Sequence, residues 1–177
     1  MLLNFDVDMS LGLPKHKVLV KPYDPEWLQE YFREEGRLKD ALGEWILDIQ
    51  HVGSTAVPGL ASKPIIDIGI AIQNFDNGFD MIPGMSELGY NFRGEVGVPG
   101  RHFFIHGRPR THHVHMNEIS SDDWRNRIAF RDYLRANSDS ANQYADLKTG
   151  LALEFPNDIA SYSAGKGEFI QNILVRI

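Results

Sequence analysis

Residues 51–72 read HVGSTAVPGLASKPIIDIGIAI, and this stretch decides the fold. It opens inside an apolar run, Ile46–Val52, that predicts a strand. Gly53-Ser54-Thr55 breaks the run, glycine being the residue that tolerates unusual dihedrals and close backbone approach. A second, mostly buried strand is predicted over Pro64–Ile72, with Asp67 inside it. A carboxylate in an apolar strand is costly unless it is paired, hydrogen-bonded or bound to a cation. Strand alternation puts Asp67 on the face opposite Ile66 and Ile68. A Gly-Ser pair alone is the ordinary solution for a tight turn. With an acid on the next strand and Lys63 at that strand's start, it becomes a candidate phosphate cradle. If a helical turn begins at Thr55 or Ala56, its free N–H groups and the Ser54 and Thr55 hydroxyls can face an anion. The chain holds neither a Walker loop nor a GxGxxG fingerprint.

Working outward, Val18–Val20 predicts a short strand. Asp24-Pro25-Glu26 opens a long helix that carries Trp27, Tyr31, Leu38, Leu42 and Trp45; Asp suits the cap, Pro the first position and Glu the positive end. Residues 79–88 predict a helix interrupted at Pro83-Gly84, and strands are predicted around Tyr90–Gly94, His102–His106 and Arg110–Ile119. Ser121 caps a helix carrying Trp124, Ile128 and Leu134, a second helix carries Tyr144, Leu147 and Leu151, and a third runs from Asp158 to Leu174 with a kink near Gly165 and Gly167. The layout is an α+β (mixed α/β) fold, a single domain over 1–177 in which a sheet-containing core (1–119) precedes a helical tail (120–177).

Composition narrows the function classes. The 177 residues contain no cysteine, which removes disulfide scaffolds, thiolate metal sites and cysteine nucleophiles and fits a reducing cytoplasm. The net charge of −6 opposes binding of long nucleic acid, whose affinity comes from summed Lys and Arg. No 20-residue apolar stretch exists to span a bilayer, and Met1–Leu13, with Asp6 and Asp8 and no basic residue, predicts an N-terminal arm and no signal peptide. Charge is uneven, however. From Arg93 to Arg131 lie seven Arg and four acids, with five of the seven His. A cationic segment in an acidic chain points to a small anionic ligand.

Within that segment His113 and His115 share one strand face. Two such imidazoles can ligate metal, polarise a phosphate, act as general acid and base, or simply hydrogen-bond at a surface. Glu118 is an alternative acid, and Arg101, Arg108 and Arg110, expected on flanking loops, are candidate anion clamps. In the tail, Lys148 follows Tyr144 and Lys166 follows Tyr162 at helical spacing. Such pairs are common on helix surfaces, but with Arg131 they could clamp a triphosphate or other anion.

The block HVGSTAVPGL-x-x-KPIIDI resembles the signature of the GrpB family. The likeness extends to Val20–Trp27, to His112-His113-Val114-His115, to Phe130–Arg135 and to the two Tyr/Lys helices. The resemblance implies a divergent nucleotidyltransferase-like fold: a mixed sheet flanked by helices. It also implies roles. Gly53 and Ser54 would bind phosphates, and Asp67 would hold a divalent metal. The chain departs from the superfamily pattern at Gly69, where a second acid belongs, and in the His113/His115 strand, where a third acid belongs. One Asp and two His make a weak Mg²⁺ cage and suit Zn²⁺ or Mn²⁺ better. Two readings follow. One is binding of a nucleoside triphosphate through Gly53, Ser54, Thr55, Lys63, Arg131, Lys148 and Lys166, with metal on Asp67 and nucleotidyl transfer as the reaction. The other is a metal-dependent hydrolase, or a non-catalytic module for a phosphorylated small molecule, with Asp67, His113 and His115 as metal-binding and catalytic residues.

Overall fold

A computed structural model describes residues 11–177. The predicted N-terminal arm lies, for its first ten residues, outside them. Asp24 accepts a hydrogen bond from the Glu26 backbone N–H at 2.9 Å, and α1 (Glu26–Leu42) follows, burying Trp27, Tyr31, Leu38 and Leu42 along one stripe. The strands β1 (Asp48–Val52), β2 (Ile66–Ile72), β3 (Tyr90–Phe92), β4 (Arg101–His106) and β5 (His112–Glu118) form one sheet in the order β1-β2-β5-β4-β3. Only β2 and β5 pair in parallel; the other neighbours are antiparallel. The sheet is thus mixed, as expected.

Central position explains the composition of β2. Ile66, Ile68, Ile70 and Ile72 join Val114, Met116 and Phe104 in a core covered by α1 and by the short helices α2 (Asn77–Asp80) and α3 (Ile82–Glu87). The opposite face carries Asp67, Gly69, His113 and His115 and is covered by α4 (Asp122–Ala136), whose start Ser121 caps by accepting from the Trp124 N–H. The tail continues as α5 (Ser138–Glu154), α6 (Ile159–Ala164) and α7 (Gly167–Leu174). A second cluster, Val57, Leu60, Leu134, Tyr144 and Ile173, ties α4, α5 and α7 to the loop after the Gly53 turn.

Three expectations are corrected. Residues 18–20 are not a strand: the Val18 N–H bonds Pro156 O, and only Lys21 forms a bridge, an isolated one with Ser62. The helical break near Pro83 falls earlier, at Met81, because Pro83 sits in the first turn of α3, where a missing N–H costs nothing. The last helix is two helices, α6 and α7; a Cβ on Gly165 would come 2.5 Å from the Leu151 side chain, so the chain there must stay bare to lie against α5.

Candidate functional site

The parallel register sets Asp67 beside His113 and Gly69 beside His115, and the antiparallel neighbour β4 adds Phe103 and Arg101 on the same face. Asp67 Oδ1 lies 2.9 Å from His115 Nε2 and 3.3 Å from His113 Nδ1. Burial pushes the Asp67 carboxyl up, but hydrogen bonds from both imidazoles outweigh it and hold the group well below the usual range. His115 is pushed down to about 3, first by burial and then by the Arg127 charge, so it is neutral. On its far side Arg101 Nη1 stands 3.3 Å from His115 Nδ1, while the same guanidinium donates to the backbone carbonyls of Glu95 and Val96 at 2.9 and 3.0 Å.

The turn after β1 meets this cluster. Gly53 has φ +71°, and a Cβ there would lie 2.8 Å from Asp67 Oδ2, so both conformation and space require glycine. Ser54–Ala56 form the expected short helical turn. Arg135 of α4 fixes it by donating twice to Ala56 O, at 3.0 and 2.7 Å. The Thr55 hydroxyl is committed inward, 3.0 Å from His51 Nε2 and 3.4 Å from Ile65 O. Ser54 faces the cleft, with its hydroxyl in hydrogen-bonding relation to Tyr144.

A cleft of about 480 Å³ opens between this corner and the tail helices. Lys63, Lys148 and Lys166 all line it. Lys63 and Lys166 lie over the Tyr162 ring, 5.1 and 4.6 Å from its centroid, and Lys148 lies 4.8 Å from that of Tyr144. Lys148 is buried, donating to Ala61 O at 2.5 Å. Burial, then Lys166 and Lys63, bring Lys148 down to about 6; burial and Lys63 bring Lys166 to about 8. Among the described residues none of the three forms an ion pair with a carboxylate. Burial lowers Lys63 as well, and a small polyanion in the cleft would favour the protonated form of all three amines.

Other expected residues have different duties. Arg131 borders the cleft, but its buried guanidinium donates to His51 O at 2.8 Å and Gln50 Oε1 at 3.0 Å and pairs with Asp132, which ties α4 to β1. Arg110 donates to Leu13 O and Pro14 O, and Glu118 accepts from the Phe75 N–H; neither lines the cleft, nor does Arg108. Arg101 is in β4, not a loop. From the sequence, Trp124 is only one of the apolar positions of α4. A Cβ on Gly69 would lie 3.0 Å from Trp124 Cζ3 and 3.3 Å from Val52 Cγ1. The indole fills the space into which a side chain at position 69 would project. The signal for this was Gly69 itself, a bare position two residues after Asp67.

The only described group of three metal-ligating types is Asp67, His113 and His115, whose candidate atoms lie within 4.8 Å of one another. With a single carboxylate, the set does not fit the multi-oxygen cage of Mg²⁺. Its composition alone is one that Zn²⁺ or Mn²⁺ accepts. No helix among the described residues is long and apolar enough to cross a membrane.

Residues 17–176 match the family described as GrpB protein, and the chain belongs to that family. It is 40% identical over 159 residues to UPF0157 protein YqkA of Bacillus subtilis (strain 168), covering 89% of this chain and 46% of YqkA, so it spans about half that relative's length. A crystal structure of the conserved protein GrpB from Enterococcus faecalis is similar at TM-score 0.83 and 36% identity, over 89% of this chain and 96% of that one. A remote likeness, at TM-score 0.46 and 14% identity over 89% of this chain and 52% of the other, is to terminal uridylyl transferase 4 from Trypanosoma brucei with bound CTP.

Proposed function

We propose that the cleft binds a small phosphorylated ligand, a nucleoside triphosphate first among the candidates. The observation that carries the reading is the convergence of Lys63, Lys148 and Lys166, without a carboxylate partner, beside the Gly53-Ser54 turn. In this reading the amines and the Ser54 hydroxyl hold phosphate oxygens. Phe130, Leu134, Ile170 and Leu174, further along the lining, give an apolar body somewhere to rest. Mg²⁺ enters as part of the triphosphate, held by the phosphate oxygens. Two-metal nucleotidyl transfer is not part of the proposal, because the set of Asp67, His113 and His115 holds a single carboxylate.

The test is thermal stabilisation of the full chain by ATP, GTP, CTP or UTP with and without Mg²⁺, with inorganic triphosphate as a control. A ligand at 100 times its Kd adds about 2.7 kcal/mol, which for a chain of this size raises Tm by roughly 5–10 °C. Ser54→Ala should reduce the shift and Lys166→Ala should remove it. No shift with any nucleotide or with triphosphate would overturn the reading. A metal-dependent hydrolase is the second reading, favoured by the closeness of Asp67, His113 and His115. It requires stoichiometric transition metal that His113→Ala abolishes.

A further inference from the structure

A histidine that ligates a metal through one ring nitrogen carries its proton on the other, and that N–H is normally aimed at a carboxylate, carbonyl or water. At His115 this arrangement is reversed. Nδ1 faces Arg101 Nη1 at 3.3 Å, and a guanidinium has donors and no lone pair to offer. A neutral ring beside it must present the Nδ1 lone pair to Arg101 and keep its proton on Nε2. Nε2 then donates to Asp67 Oδ1 at 2.9 Å, the geometry found. The atom that would have to bind a metal is the one holding the proton. Arg101 is not free to turn away, since its other nitrogens are held by the Glu95 and Val96 carbonyls, and Phe103 lies under its guanidinium at 4.8 Å.

We infer that Arg101 is a positioning residue that fixes His115 as the Nε2–H tautomer, and that Arg101–His115–Asp67–His113 is a metal-free hydrogen-bonded relay. His115 donates to Asp67 Oδ1, His113 Nδ1 stands 3.3 Å from the same oxygen, and Asp67 Oδ2 lies against Gly53. The carboxylate is thus held ionised and oriented at the phosphate turn without a cation. Only the role of this corner rests on the phosphate reading; the tautomer and the refusal of metal stand on the hydrogen bonds alone.

The experiment has two parts, neither using a nucleotide. In the ¹⁵N-labelled full chain at pH 7, long-range ¹H–¹⁵N correlation reports which nitrogen of His115 carries the proton; Nε2–H is expected. Calorimetric titration with Zn²⁺ or Mn²⁺ alone should show no stoichiometric binding at Asp67. Arg101→Lys keeps a donor toward Nδ1 and should keep both results. Arg101→Glu places an acceptor there, moves the proton to Nδ1 and frees Nε2, so Zn²⁺ affinity should rise ten- to a hundred-fold, the usual weight of such outer partners. A proton on Nδ1 in the unaltered chain would overturn the inference. So would one equivalent of Zn²⁺ in that chain, lost in His115→Ala. If Arg101→Glu fails to fold, the unaltered chain and Arg101→Lys still decide. Nucleotide stabilisation can persist or vanish independently, so failure here is distinguishable from failure of the phosphate reading.

Discussion

Gly69→Ala tests whether Trp124 occupies the space that a side chain at position 69 would take. The new Cβ would sit 3.0 Å from Trp124 Cζ3 and 3.3 Å from Val52 Cγ1, against ~3.5–4.0 Å for a comfortable carbon contact. Overpacking of this kind costs about 1–3 kcal/mol. Replacing glycine within a strand returns about 0.5–1 kcal/mol. The net loss should be roughly 1–2 kcal/mol, or a fall in Tm of about 3–6 °C for a chain of this length. Trp124→Ala, which empties the space, should cost about 3–5 kcal/mol by itself. In that background Gly69→Ala should become neutral or stabilise by about 0.5 kcal/mol, since its clash is gone. The coupling read from urea unfolding of the four proteins at 25 °C should therefore be about 1.5–2.5 kcal/mol, with an unchanged m-value. If Gly69→Ala costs the same with and without the indole, Trp124 is not what fills the position.

Arg131→Met should lower stability by about 2–3 kcal/mol, because it strands the His51 carbonyl and the Gln50 amide oxygen it now satisfies; a variant that folds normally but loses nucleotide stabilisation would return Arg131 to the ligand site. The lysine cluster sets a pH dependence. Lys148, at about 6 in the folded chain against 10.5 ordinarily, is deprotonated there while the unfolded chain still holds the proton, and Lys166 adds the same sign above about 8. Stability from these groups should rise between pH 7 and 9.5, by up to about 1.4 kcal/mol per pH unit per group. Tyr144 and Tyr162, raised by burial, act oppositely only near and above pH ~10. Urea midpoints should climb across that window and flatten in Lys148→Met; an equal slope in that variant would refute the assignment.

What the sequence disclosed was local. Asp24-Pro25-Glu26 carries its own start signal, and β2 is apolar because both its faces are covered. The likeness in residues 51–72 pointed at Asp67 and that in 112–115 at His113 and His115, and parallel pairing of β2 with β5 is what makes them meet. Tyr-x-x-x-Lys spacing pointed at Lys148 and Lys166: Lys148 stacks on Tyr144 within α5, and Lys166 reaches Tyr162 across the junction of α6 and α7. What stayed hidden is tertiary. Trp124 lies fifty-five positions from Gly69, and no periodicity connects an indole to the gap it fills. Arg131 and Arg101 look like free cations in a string of letters, since the groups that anchor them across the fold, Gln50 and the His51 carbonyl for one and His115 with the Glu95 and Val96 carbonyls for the other, leave no mark on composition. Residues 18–20 misled for the complementary reason: β-branched residues describe a preference, and the only hydrogen-bonding partner offered to Val18 was Pro156 O.

The two separate hydrophobic clusters have a consequence for how the molecule opens. One is centred on β2 and β5 beneath α1; the other joins α4, α5 and α7 to the Val57–Leu60 loop. The amine-lined gap lies between the sheet and that second cluster, with Lys63 on one side and Lys148 and Lys166 on the other. Amide exchange should accordingly be slowest in β2 and β5 and faster in α5 to α7, as two units with their own opening free energies. An anion gripped by Lys63 from the sheet side and by Lys148 and Lys166 from the tail would fasten the two into one cooperative body, and protection of the tail amides would then report occupancy of the cleft.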